Sequence, residues 1–390
     1  MSAEMIAFRR MLHTQPELSG QEFMTTELIA ERLRVSGLNP RILVRGTGVI
    51  CDLPLCAQPS IAAPVVALRA DIDALAMMDG KSVPYRSQHD GIAHACGHDV
   101  HTAALLGAAL LLLEKRDQDP IDAVIRLIFE PAEETMPGGA VDVIAEGWLD
   151  GVQVIYGLHC DPKLDCGHIG LRAGSLTSAS DVFEIELTGP GGHTARPERT
   201  IDLIRWSGRV ADQLADVIHE ITDECTVVFG SLHSGMAPNV IPASAVLSGT
   251  FRTPDLSVWR RGEELLAAAL ENLLSDEGAP DWELRYTVGI PPVVNDEQAV
   301  EIAHKALAST QIEVVPTEQS RGGDSFAWYV ERIPGTYLRL GTHNPVSSGQ
   351  RLDLHSALFD VDERAIALGS QALYATALGW ISAAGHSLQP

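Results

Sequence analysis

The sequence predicts an α/β fold: a mostly parallel central sheet flanked by helices, with an inserted α+β sandwich. Three observations carry this reading. Near-continuous apolar runs at Val65–Leu68, Ala123–Phe129 and Val152–Leu158 read as strands buried on both faces, and helical patterns alternate with them. Aromatic residues are sparse at 5%, while Ala, Leu, Val and Gly are abundant, as in enzymes built on buried parallel strands. Beyond about residue 178 the pattern changes to strands that alternate apolar and polar residues.

Taken in order, the opening reads as helix. Ile6, Leu12, Phe23, Leu28, Ile29 and Leu33 recur at roughly helical spacing, broken near Pro16 and ended by Gly37. Strands are predicted at Val44–Cys51 and at Val65–Leu68, the second running into Arg69 and Asp71. Thr102–Lys115 is a strongly apolar helix suited to the core, and Ala123–Phe129 and Val152–Leu158 supply two more strands. Val182–Leu187 then alternates apolar and acidic residues, as a strand with one wet face does; Thr226–Leu232 and Ala245–Arg252 read similarly. Helices are predicted at Ile201–Glu220 and Val258–Leu274. Strand, helix, strand, strand, helix, strand is the order of a small open-faced sandwich. The chain is therefore expected to form one domain from 1–177 and 293–390, interrupted by a second over 178–292. The sequence contains no internal repeat and no low-complexity tract.

The composition narrows the function. With 390 residues, 45% of them hydrophobic, the chain has ample material for a core. Its formal charge of -24 argues against nucleic acid, because binding a phosphate backbone needs a concentrated basic surface. So much acid serves solubility, and an anionic substrate would need local cations. The start of the chain lacks the charged segment and apolar run of a signal peptide, and the best apolar stretch, Ala103–Leu113, is too short to span a bilayer. Six scattered cysteines do not form a disulfide scaffold. A cytoplasmic protein with reduced cysteines and no membrane partner is expected.

The chemistry concentrates in a few segments. His94-Ala-Cys96-Gly-His98-Asp99-Val-His101-Thr102 precedes the apolar helix. Cys96 and His98, two residues apart on a turn that Gly97 lets bend, can both face one metal. A Cys-x-His pair alone is more often a buried thiol beside a surface histidine; the further histidines and the aspartate weaken that reading. After the strand ending at Phe129 comes Glu130-Pro-Ala-Glu133-Glu134. Adjacent carboxylates can divide the labour, one binding metal while its neighbour takes a proton from water. A lone Glu-Glu pair is usually a solvated loop, but this one follows a buried strand and precedes Pro and Gly. His159 ends the next apolar run, where a single His is more often a core residue than a ligand. Leu352-Asp353-Leu354-His355 is weak by itself. Together, however, Cys96, His98, Glu134, His159 and His355 offer thiolate, imidazole and carboxylate donors from four loops. Such a set suits two ions that share a ligand and leave a position open for water.

With these motifs the whole chain resembles the aminoacylase/carboxypeptidase superfamily of co-catalytic metallopeptidases, in the amidohydrolase branch containing hippurate hydrolases and indole-acetyl-amino-acid hydrolases. The resemblance runs through His13-Thr-Gln-Pro-Glu-Leu-Ser, Arg69-Ala-Asp71-Ile-Asp73-Ala-Leu, Cys-Gly-His-Asp-x-His-Thr and Pro-Ala-Glu133-Glu134. It continues through Gly-Leu-His159, Gly191-Gly192-His193, Asn239-Val-Ile-Pro242 and Leu-His355-Ser356. It implies that Cys96 bridges two divalent ions and that His98, Glu134, His159 and His355 complete their sites. Zinc, manganese, nickel and cobalt all suit those donors. Glu133 is implied as the general base. Asp71 and Asp99 are implied either to orient ligand imidazoles or fix the loop, or to make ordinary structural hydrogen bonds; His101 matches no family ligand and is expected to support the ligands from behind. His193 is implied to reach across a homodimer interface to the oxyanion of the partner's site, which makes the inserted domain a lid and dimerisation domain. Asn239 and Arg252 match residues that contact the substrate's carboxylate or acyl oxygen, although Arg252 suits a structural ion pair equally well.

The implied reaction is hydrolysis of the amide of an N-acyl amino acid. A rival is a dipeptidase or metallo-carboxypeptidase acting on small peptides. A non-catalytic metal-binding scaffold is the other, and it has no need of a base such as Glu133. A zinc nucleoside deaminase is disfavoured because its Pro-Cys-x-x-Cys partner is absent. Three departures from the family pattern bear on the substrate: Glu130 where many relatives carry Gln, Gly322-Gly323-Asp324-Ser325-Phe326 where they read Gly-Glu-Asp-Phe, and Arg196 where a small or apolar residue is usual.

Overall fold

The structure is a computed structural model that describes residues 2–346 and 351–387. The chain divides into two compact units: Met1–Leu176, Val294–Glu318 and Asp324–Pro390 form the first, and Thr177–Val293 with Gln319–Gly323 the second. Sequence patterning places the short segment Gln319–Gly323 with the larger part. Contacts the pattern does not encode draw it to the second: Ser178 N–H donates to the Gly322 carbonyl at 3.2 Å, and Arg252 Nη1 to the Arg321 carbonyl at 3.1 Å.

The first unit is built on an eight-stranded sheet. Its strands are β1 (Arg41–Ile42), β2 (Val49–Pro54), β3 (Val65–Asp71), β4 (Val124–Glu130), β5 (Val152–Asp165), β6 (His168–Leu171), β7 (Glu313–Pro316) and β8 (Gly335–His343). They lie in the order β1-β2-β4-β3-β5-β8-β6-β7, and the middle pairings β4–β3, β3–β5 and β5–β8 are all parallel. β2 starts at Val49, later than the pattern suggests, because hydrogen bonds between Leu43 and Gly48 and between Gly46 and Leu43 fold the preceding residues into a turn. Helices α1 (Ser2–Thr14), α2 (Phe23–Val35) and α3 (His98–Gln118) join the sheet in one core with the C-terminal helix Arg364–Ser387. α3 is buried from His98 through Ala109, as its Ala- and Leu-rich sequence requires. Among the described residues, no helix is long and apolar enough to cross a membrane.

The second unit is an antiparallel sheet of Thr226–Ser234, Ser244–Arg252, Ser180–Thr188 and Asp281–Ile290, in that spatial order. Phe183, Ile185 and Leu187 pack against the helices Leu203–His219 and Gly262–Leu273. Between those inward positions, Glu184 and Glu186 point the other way and pair with Arg285 at 2.7 and 2.9 Å. The second predicted helix is two, Leu256–Trp259 and Gly262–Leu273.

Candidate metal centre and general base

Parallel register brings the chemistry to one end of the sheet. Asp71 at the end of β3 lies opposite Glu130 at the end of β4, Arg69 lies opposite Gly157, and His159 follows two residues further along β5. Sites in open α/β sheets form where strands end in this way. Gly97, at φ +92, starts α3 and separates Cys96 from His98; a Cβ there would lie 2.7 Å from Cys160 Sγ, so the backbone conformation and the packing both demand glycine. His355 arrives from the C-terminal part of the first unit, and its N–H donates to the Ala95 carbonyl at 2.8 Å.

The donor atoms converge. Cys96, His98 and His159 present ligand atoms within 4.8 Å of one another; so do Cys96, Glu134 and His355, and so do His98, Glu133 and Glu134. His159 Nε2 lies 3.4 Å from Cys96 Sγ, and Glu134 Oε1 lies 3.3 Å from His355 Nε2 and 3.8 Å from His98 Nε2. Two of the imidazoles are fixed in tautomers that suit a metal. His159 Nδ1 donates to the Cys160 carbonyl at 2.8 Å, and His98 Nδ1 donates to Asp73 Oδ1 at 3.1 Å, so each Nε2 keeps its lone pair for the centre.

The electrostatics fit a cation. Burial pushes the Cys96 thiol well up. Burial, reinforced by His101 and Arg339, holds His159 well below its usual range and therefore neutral. His98 goes the other way: burial would lower it, but Asp71 and Cys96 outweigh that and raise it well above the ordinary value. The acids crowded around His98 thus make a site that favours positive charge. The buried atoms His98 Nε2 and Glu134 Oε1 have no hydrogen-bond partner, which is costly unless something else engages them. These residues fit metal ions in donor type, burial and convergence.

Glu133 sits beside the donors without being consumed by them. Its Oε1 accepts from Ser325 N–H at 3.1 Å, and its Oε2 is 4.0 Å from His98 Nε2. Burial, then the charges of Asp324 and Glu134, raise its pKa well above the usual carboxylate range. Ser325 is itself anchored: its hydroxyl donates to Glu130 Oε1 at 2.5 Å and accepts from Arg69 Nη2 at 2.9 Å. The fully buried Arg69 also binds Glu130 at 2.7 Å and Asp71 at 2.6 Å. Before the base stands Ala132 at φ +55; His355, at φ +58, is the other non-glycine residue in that region among those described. Each costs on the order of 1–3 kcal/mol, so the surroundings must impose it. At Ala132 the N–H donates to Glu22 Oε1 at 2.8 Å.

The sequence profile of Peptidase family M20/M25/M40 matches residues 67–378. The chain belongs to that family. The N-acetyl-L-cysteine deacetylase of Bacillus subtilis is 37% identical to it over 380 residues, 97% of this chain and 88% of that protein. A longer Rhodococcus jostii protein with a provisional glutamate–cysteine ligase name is 40% identical over 378 residues, 95% of this chain, but the chain spans only 46% of its length. Among solved structures, the YxeP protein of Bacillus subtilis, titled a dinuclear metal-binding peptidase, superposes with a TM-score of 0.83 at 33% identity, covering 97% of this chain and 98% of that one.

Of the two readings open for Asp71 and Asp99, their contacts favour structural hydrogen bonding. Asp99 meets no ligand imidazole; its carboxylate accepts from Arg9 Nε at 2.6 Å and His13 Nδ1 at 2.7 Å, and it belongs to an ion network under α1. Burial would raise the Asp99 pKa, but Arg9 and His13 hold it well below the usual range. Asp71 binds His101 Nδ1 at 2.6 Å, while His101 Nε2 accepts from Cys160 N–H at 2.8 Å, so His101 has no nitrogen left for a metal. Asp73 is the acid that orients His98. Sequence reasoning quoted it without a role, although its place two residues after Asp71 in an extended segment was a signal. His193, Asn239 and Arg252 all lie in the second unit. The exposed His193 accepts from Ala195 N–H at Nδ1 (3.0 Å), which leaves Nε2 to carry the proton, and a short ladder pairs it with Val240, next to Asn239.

Proposed function

We propose that this M20 protein hydrolyses the amide bond of an N-acyl amino acid, using two divalent ions held by Cys96, His98, Glu134, His159 and His355. Bound there, the ions would polarise the amide carbonyl and acidify a water molecule. One observation carries the reading: Glu133 is a buried carboxylate beside the donor cluster, steadied through one oxygen by Ser325 and left with the other as a base. With its proton affinity raised by burial, Glu133 takes a proton from the attacking water and returns it to the departing nitrogen.

His193, with its proton on Nε2, is the proposed donor to the oxyanion, and Arg252 and Asn239 the proposed partners of the substrate's carboxylate or acyl oxygen. The second unit is the proposed lid and dimerisation domain, in a homodimer that lets His193 serve the partner's site. The deacetylase name of the Bacillus subtilis relative supports an acylated amino acid over a free peptide. All six cysteines are unpaired, which supports a reducing, cytoplasmic setting.

Glu133→Gln tests the base. With metal content retained, it is expected to cut hydrolysis of N-acyl amino acids by about 10²- to 10⁴-fold; undiminished turnover would show that the base is elsewhere. A panel setting N-acyl amino acids against free-amine dipeptides decides the substrate class.

A further inference from the structure

The loop Ser19–Glu22 pins both ends of the peptide that carries the proposed base. At one end, Glu22 Oε1 accepts from the N–H of Ala132 at 2.8 Å and from that of Gly20 at 2.8 Å. At the other, Asp73 Oδ2 accepts from Glu134 N–H at 2.9 Å and is itself held by the Ser19 hydroxyl at 2.7 Å. Glu22 is completely buried, and its second oxygen has no hydrogen-bond partner. The hydrogen bonds that the carboxyl group accepts from Gly20 and Ala132 both run through its first oxygen. Its target is the residue whose backbone alanine does not choose by itself, at φ +55, immediately before Glu133.

From this geometry we infer that Glu22 is a positioning residue for the general base: it imposes the left-handed turn at Ala132 and thereby fixes where the Glu133 carboxylate points. The inference rests on Glu133 being the base. The Glu22 carboxylate accepts from the backbone N–H groups of Gly20 and Ala132, so it acts on Glu133 through the backbone it holds, and its charge also faces Asp73. Removing it leaves Ala132 free to relax to an ordinary conformation, which swings the Glu133 side chain away while Glu134 stays anchored through Asp73.

The test measures kcat, KM and bound metal for Glu22→Ala, Ala132→Gly and the double variant on an N-acetyl amino acid. Glu22→Ala is expected to lower kcat about 10- to 100-fold, the effect of moving a catalytic group by roughly an ångström, with KM within about threefold and metal retained. Glycine adopts the left-handed turn without penalty, so adding Ala132→Gly is expected to recover about fivefold or more of that loss. A purely structural role for Glu22 predicts no such recovery. Unchanged kcat in Glu22→Ala, metal lost in proportion to activity, or no rescue by Ala132→Gly would each overturn the inference. If Glu22→Ala does not accumulate, Glu22→Asp, which retracts the carboxylate by one methylene, is read in the same way. Glu133→Gln assayed alongside separates the two claims: activity surviving it removes the base reading, whereas its loss beside a fully active Glu22→Ala removes only this inference.

Discussion

Asp73→Asn changes one atom and is expected to dismantle one of the metal sites. The wild-type carboxylate serves three donors at once: Oδ1 takes His98 Nδ1–H at 3.1 Å, and Oδ2 takes Glu134 N–H at 2.9 Å and the Ser19 hydroxyl at 2.7 Å. Burial alone would raise its pKa, but His98 and the hydrogen bonds from Glu134 and Ser19 outweigh that and keep it ionised. An asparagine has one oxygen to offer. If that oxygen faces Glu134 and Ser19, the amide NH₂ meets His98 Nδ1, which must then accept, and the imidazole proton moves to Nε2, where the metal needs a lone pair. If the amide flips, its NH₂ confronts the Glu134 N–H, donor against donor. Either arrangement damages a ligand. Losing such a buttress typically costs 10- to 100-fold in metal affinity, about 1.4–2.7 kcal/mol. Competition with a chromophoric chelator reads this directly, with circular dichroism to verify the fold. A folded Asp73→Asn protein that holds both ions at wild-type affinity would refute the assignment.

Other expectations follow from the same geometry. His193→Ala should lower kcat about 10²- to 10³-fold without changing metal content. If His193 acts across a dimer, mixing His193→Ala with Glu133→Gln subunits should restore roughly a quarter of wild-type activity, since half the dimers then hold one intact site; no recovery on mixing would exclude action in trans. His94 is buried with neither ring nitrogen hydrogen-bonded, and burial pushes its pKa from 6.5 down to about 3. The unfolded imidazole gains a proton near pH 6.5 and the folded one does not, so stability is full above that pH and declines below it. Going to about pH 5 should cost wild type about 2 kcal/mol more than His94→Leu, as read by urea unfolding at both pH values; equal losses in the two proteins would contradict this. Gly97→Ala, at φ +92 and against Cys160, should lose at least about 2 kcal/mol and a few degrees in Tm.

The candidate donors were legible because most of them border a recognisable apolar run and bring distinctive chemistry. Cys96 and His98 flank a glycine before an apolar helix, Glu134 follows a buried strand, and His159 ends the apolar run Val152–Leu158. What holds those donors was not legible. Asp71 and Asp99 were open between orienting ligand imidazoles and ordinary hydrogen bonding; Asp71 binds Arg69 and His101, Asp99 binds Arg9 and His13, and Asp73 is the acid on His98 Nδ1. Periodicity says which side of a strand a residue takes, but not which partner waits there. Glu22 is harder still. Its link to Ala132 spans the first unit, and no local pattern announces that an alanine 110 positions away is left-handed. The second unit shows the same division: alternating residues in Val182–Leu187 revealed the wet face, while the attachment of Gln319–Gly323 depended on carbonyl contacts that every sequence can make.

Among the described residues β8 is the last strand to appear in the chain, yet it lies inside the sheet, between β5 and β6. On the ribosome, β5 therefore emerges with one edge open, and its apolar residues Tyr156, Leu158 and Cys160 stay unpaired on that side until Gly335–His343 follow. The second unit has all four of its strands by Ile290 and faces no such wait. Nascent chains halted before Gly335 would carry an exposed template for wrong strand pairing. The proposed His355 donor is made later still, after β8.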